Sequence, residues 1–175
     1  MKHRIRIHKA EPNKGVLDYS YLLDAPAGKH GFVISRKGHL YFEDGTRARF
    51  LGFNVATRSN TPDHETADKL AERFASMGVN IIRLHAADAP VGEEPWSWSS
   101  CKEAPLLDYT SGNSRTFNKE GWDRFDYFVS KLKEKGIYLH IDLIVAREFL
   151  DGDDLDYPGG APSCLKRHCM YNERL

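Results

Sequence analysis

The sequence predicts an α/β protein built on a parallel sheet. Three observations carry that expectation. Val79–His85 is largely β-branched and apolar, with Arg83 and His85 at its C-terminal end. Residues two apart on a strand point the same way, so Arg83 and His85 share one face while Ile82 and Leu84 share the other. Two helical patterns each end in a glycine that leads straight into a strand. The resulting β-α-β-α-β order, with short helix-to-strand turns, implies parallel strands joined by crossover helices. An open doubly wound sheet and a closed barrel both fit. No Gly-x-Gly-x-x-Gly follows a strand, so the dinucleotide-binding version lacks its fingerprint.

Residues 1–30 form an extended lead, in which Ile5 and Ile7 alternate with charges and Asp24-Ala-Pro-Ala-Gly28 is an irregular connection. Residues 31–50 predict a β-hairpin unit. Gly31–Ser35 and His39–Glu43 flank a turn at Arg36-Lys-Gly38, and Asp44-Gly45 precedes Thr46–Phe50. Asp-Gly between alternating runs is a strong hairpin signal, because glycine accepts the positive φ of a two-residue turn.

Phe50–Val55 is the next strand. Thr61, with Pro62 at the first helical position, is the expected cap of the first helix. Ala67, Leu70, Ala71, Phe74 and Met77 make its apolar stripe, and Gly78 closes it. After the Val79–His85 strand, residues 86–117 read as a long loop rich in Pro, Gly, Ser and Trp, and a loop of that length has a functional role or is disordered. Asn118 caps a second helix with a stripe of Trp122, Phe125, Val129 and Leu132, ended by Gly136. Ile137–Val145 is the last strand, with Leu139, Ile141 and Leu143 opposite Tyr138, His140 and Asp142.

Lys plus Arg number 25 and Asp plus Glu 25, with no long basic block, so nucleic acid is not the expected partner. No run of about 18 apolar residues predicts a membrane span. The N-terminal residues are basic but carry no apolar segment of a secretory signal. The expected compartment is therefore the cytoplasm, with secretion left open. Cys101, Cys164 and Cys169 give no disulfide framework.

Several pieces recur in a familiar order. They are Pro26-Ala-Gly-Lys-His-Gly31, Gly38-His-Leu-Tyr-Phe-Glu-Asp-Gly45, Arg49-Phe-Leu-Gly-Phe-Asn54, Met77-Gly-Val-Asn-Ile-Ile-Arg-Leu-His85 with Asp88 after it, Phe125-Asp-Tyr-Phe-Val129, and Leu132-Lys-Glu-Lys-Gly-Ile-Tyr-Leu-His-Ile-Asp-Leu143. From about Leu17 onward the chain thus resembles the N-terminal part of a cellulase-like glycoside hydrolase, of the retaining (β/α)8-barrel clan that includes family 5. The resemblance implies an incomplete TIM barrel, its first three β/α units spanning residues 50–175, preceded by the hairpin cap at 31–50. A whole barrel of this kind needs about 250 residues. The chain is therefore expected to be a fragment, inactive on its own, without the acid/base that follows the clan's fourth strand and the nucleophile that follows its seventh. Asn172-Glu173 has no strand before it and is not that acid/base pair. Many family-5 members carry a histidine where this chain has Ile144.

The resemblance gives Arg83 the place beside the nucleophile, which a guanidinium keeps ionised and oriented. Asn54, His85, Asp88, Asp142 and Arg147 are implied to shape the sugar site, Asp142 either by binding substrate or by tying down Arg83. Trp96 and Trp98 either stack on a sugar or pack the long loop. His140, deeper in its strand, is expected as a satisfied core or barrel-interior histidine. The acidic run Asp151–Asp156 is expected to be a solvated loop. No cofactor or metal is expected. The expected partner is a carbohydrate, with self-association through an exposed sheet edge. A non-catalytic carbohydrate-binding or interaction module, and a metal-dependent hydrolase on a similar barrel, are the alternative readings.

Overall fold

The computed structural model describes residues 11–91 and 104–154. Two sheets are present. β1 (Val33–Arg36) and β2 (His39–Phe42) form an antiparallel hairpin in which Arg36 faces His39 across the Lys37-Gly38 turn. The strand expected at Thr46–Phe50 reduces to a single bridge between Tyr41 and Arg47. β3 (Gly52–Ala56), β4 (Ile81–His85) and β5 (Tyr138–Ile141) form a parallel sheet in the order β3-β4-β5. α1 (His64–Ser76) joins β3 to β4, and α2 (Lys119–Glu134) precedes β5. The parallel α/β arrangement is thus as expected.

The register decides what each face carries. Asn54, Arg83 and His140 lie side by side across the three strands, and Ala56 pairs with His85 one step further on. The alternate positions, Val55, Ile82 and Leu84, enter one core with Ala67, Ala71 and Phe74 of α1 and Phe125, Phe128 and Leu132 of α2. Both helices therefore cover the same face. The other face holds the polar row.

Helix boundaries follow their caps. Asn118 caps α2 as expected, its side chain accepting from Gly121 N–H. α1 begins two residues later than expected. Asp63, not Thr61, is its cap and accepts from Thr66 N–H at 2.7 Å. A short 3-10 turn at Thr57–Asn60 continues from β3 and takes Thr61 into the interior, leaving Asp63 as the first side chain able to reach the open amides. Gly78 and Gly136 end the two helices at φ of 73° and 81°. Phe128, which the expected stripe omitted, is fully buried, whereas Met77 is 39% exposed.

Residues 104–117 are more ordered than a plain loop. Ala104, Leu106 and Leu107 are buried, Leu107 bridges Phe117, and Tyr109–Ser111 make a 3-10 turn. Trp96 and Trp98, Ile5 and Ile7, and the three cysteines lie outside the described residues. No helix among the described residues is long and apolar enough to cross a membrane.

The hairpin docks at the N-terminal end of the polar face. Phe42 stacks on Tyr138, with ring centroids 5.3 Å apart, and Phe50 meets Tyr138 edge-on. His30 adds a second tie. Its Nδ1 pairs with Asp44 at 2.5 Å, its Nε2 pairs with Asp24, and its ring lies against Phe42. An imidazole that donates to two carboxylates must be protonated, so the hydrogen bonds to Asp24 and Asp44 raise the His30 pKa. The stability this contributes is complete below the ordinary value of 6.5 and is lost as pH rises through the higher folded-state value.

Two outcomes follow. Phe128→Ala is expected to lower unfolding free energy by about 3–5 kcal/mol in urea denaturation. His30→Gln is expected to remove part of the fall in thermal midpoint on the alkaline side of neutrality. Identical midpoint-against-pH profiles for the two proteins would refute the His30 account.

Candidate active site

Arg83 and His85 reach the open face because β4 alternates. Its other residues are needed in the core. Beyond β5, Asp142 extends the same alternation and stands beside His85, its N–H donating to the Leu84 carbonyl. Asp142 is the hub of the cluster. Arg83 Nε donates to its Oδ1 at 3.1 Å and Arg83 Nη2 to its Oδ2 at 2.8 Å, a two-pronged pairing. His85 Nδ1 lies 2.5 Å from the same Oδ2, and His140 Nε2 lies 3.5 Å from Oδ1. The Asp142 side chain is only 11% exposed, while that of Arg83 is 40% exposed. The hydrogen bond from Arg83, then that from His85, hold the Asp142 carboxyl below the usual aspartate range.

Asn54 completes the row next to Arg83. With Gly52, Phe53, Ile81, Arg83 and His140 it lines a shallow depression of about 180 Å³. Of the two positions expected for His140, core or barrel interior, the helix-covered core is ruled out: it is the register partner of Arg83 on the face that no helix covers, and its side chain is 62% exposed.

Asp88 and Arg147 are brought to the same end of the sheet, but their polar atoms hold loops. Asp88 accepts from Val145 N–H at 2.8 Å and Ala146 N–H at 3.0 Å. Arg147 donates through Nε to Ser114 Oγ at 2.9 Å and through Nη2 to the Ser114 carbonyl. In the acidic run Asp151 and Asp154 are exposed, as a solvated loop requires, and Asp156 lies outside the described residues, but Asp153 departs from that expectation. Asp153 is buried and accepts from the N–H groups of Ser114 and Leu150. Burial opposes its charge, yet those hydrogen bonds and Arg147 leave its pKa lowered.

The sequence reading missed the residues that shape the strand exits. Asn60, fully buried, donates from Nδ2 to the His85 carbonyl at 2.9 Å. Thr57 and Ala86, the first residues past β3 and β4, take φ of 51° and 53°. Left-handed backbone at a non-glycine residue is strained and gathers at functional sites. Neither residue type announces it. Tyr109 donates its hydroxyl to the Asp88 carbonyl at 2.7 Å. Among the described residues no group of three or more His, Cys, Asp or Glu is placed to hold a metal ion.

Two solved structures are similar to this chain. One is a glycoside hydrolase family 5 protein from Bacteroides vulgatus ATCC 8482, at 15% identity and a TM-score of 0.46. The other is described as a glycoside hydrolase, at 17% identity and the same TM-score. Each likeness covers 68% of this chain and 26% of the neighbour, so the chain spans about a quarter of their length. No protein-family model and no curated protein matches the sequence.

Asp142→Asn keeps the shape and removes the charge. It is expected to destabilise by about 1–3 kcal/mol near neutral pH. The wild-type advantage is present above the ordinary aspartate value of 3.8 and is lost as pH falls through the lower folded-state value. Urea unfolding of both proteins at several acid pH values checks this, and a constant difference across that range would refute it.

Proposed function

We propose that this chain forms the carbohydrate-facing N-terminal part of a retaining glycoside hydrolase on a (β/α)8 barrel. The observation that carries the reading is the cluster of Arg83, His85 and Asp142 at the C-terminal ends of adjacent parallel strands, on the face left open by the helices. Barrel enzymes place their chemistry at that end of their strands. The order of motifs from Leu17 to Leu143, which resembles the cellulase-like clan, supports the same reading.

Retaining hydrolysis needs two carboxyl groups about 5 Å apart, one protonating the leaving oxygen and one attacking the anomeric carbon. Asp88 and Asp142 do not suit these roles. Asp88 is engaged by two amides and Asp142 by Arg83 and His85. In this proposal both catalytic carboxyl groups come from further strands. Arg83 supplies the fixed positive charge that keeps the nucleophile ionised, and Asp142 holds the guanidinium in place. Asn54, His85 and His140 present amide and imidazole groups to sugar hydroxyls.

Affinity electrophoresis through gels containing carboxymethylcellulose, xylan or glucomannan tests the reading. The chain is expected to be retarded by at least one polymer, and the double variant Asn54→Ala/His140→Ala to bind it at least about tenfold more weakly. Free migration in all three gels, or unchanged retardation of the double variant, would count against it. In a protein that carries both carboxyl groups, the first-formed sugar is expected to keep the substrate's anomeric configuration.

A further inference from the structure

The segment after β5 leaves the sheet at Ile141 and continues as a series of bends. Its backbone amides are held by side chains instead. Both oxygens of Asp88 accept from it, Oδ2 from Val145 N–H and Oδ1 from Ala146 N–H. Tyr109 locks the same point from the other side. Its hydroxyl donates to the Asp88 carbonyl at 2.7 Å and accepts from Glu148 N–H at 3.3 Å. Asp88, three residues past β4, and Tyr109, in the turn before α2, thereby tie three chain segments to one another.

We infer that Asp88 and Tyr109 are positioning residues that fix the β5 exit so that Asp142 meets Arg83 and His85. Asp142 has one backbone tie of its own to β4, a long one of 3.4 Å from its N–H to the Leu84 carbonyl. The next fixed points along the chain are Val145 and Ala146. Leu143 and Ile144 between them are 87% and 47% exposed, so packing does little to hold the bend. Without the clamp, that long tie alone would fix the backbone between the end of β5 and the Arg147 contacts with Ser114. A carboxylate accepting from two successive amides is a strong fixed point, because each hydrogen bond is charge-assisted. The phenol suits its role, since burial pushes the Tyr109 pKa up to about 12 and the hydroxyl remains a donor across the working range. This assignment goes beyond the proposed function and holds whatever ligand the open face takes.

Asp88→Asn and Tyr109→Phe test it in the full chain, read by amide hydrogen exchange and by ¹³C-carboxyl titration of Asp142. In Asp88→Asn, exchange at Val145 and Ala146 is expected to accelerate about tenfold or more. The Asp142 titration midpoint is expected to move up toward the ordinary aspartate value. Tyr109→Phe keeps the carboxylate and is expected to shift both readouts less, in the same direction, which keeps the test open if Asp88→Asn does not fold. Faster exchange with an unmoved Asp142 midpoint would overturn the inference, because the clamp would then be structural only. Unchanged exchange at both amides would overturn it as well.

Discussion

Ile82 and Leu84 are fully shielded from solvent, whereas Arg83 and His85, interleaved with them on the same strand, are not. Burying each of those aliphatic side chains is worth about 1.5–3 kcal/mol, and the pleat gives them no choice but to share one face. Once α1 and α2 cover that face, every alternate residue of β4 must stand on the other. The neighbouring strands obey the same constraint. Parallel pairing in this register sets Asn54 and His140 on either side of Arg83, and the next step brings Asp142 to His85. Hydrophobic burial thus places the polar row, although no polar interaction drives it.

A guanidinium, an amide and two imidazoles side by side on an open sheet need something to hold them in one arrangement. Asp142 does this by engaging Arg83 through two nitrogens and His85 through Nδ1. The carboxylate loses some hydration in exchange for charge-assisted partners, and its depressed pKa records the balance. Further out, side-chain-to-backbone contacts replace ladder hydrogen bonds. Asp88 holds 145–146, Arg147 holds Ser114, and Asp153 holds Ser114 and Leu150. The site is held by ladder pairing at the sheet and by single side-chain contacts along its rim.

The parts legible in the sequence were those set by local rules. Alternation in Ile81–His85, the Asn118 cap and the glycines at 78 and 136 all act within a few residues and appear in the structure, although the strand starts at Ile81 and Val79 joins the core. Competing local signals produced the misplaced start of α1, where Thr61-Pro62 and Asp63 both satisfy capping chemistry. The 3-10 turn before them decides between the two. Whether His140 lies in the core or on the open face was not legible, because that depends on which face the helices choose. Tyr109, Asn60 and Ser114 carry no signal, since their partners lie 21 to 39 residues away in sequence. The loop contacts of Asp88 and Arg147 escaped for the same reason. Their position at strand exits was readable, but their partners were not.

The central claim is that the open face of the parallel sheet, at the row through Asn54, Arg83 and His140, is the surface that meets carbohydrate. The most direct measurement is an NMR titration with β-1,4-linked oligosaccharides of glucose, xylose and mannose. It follows the Arg83 side-chain Nε–Hε signal, the His85 and His140 ring signals and the methyls of Ile82 and Leu84. The account predicts saturable shifts at Arg83 and the two histidines with the buried methyls nearly still. Saturable shifts confined to other surfaces, or no response at Arg83 to any of the three, would contradict it.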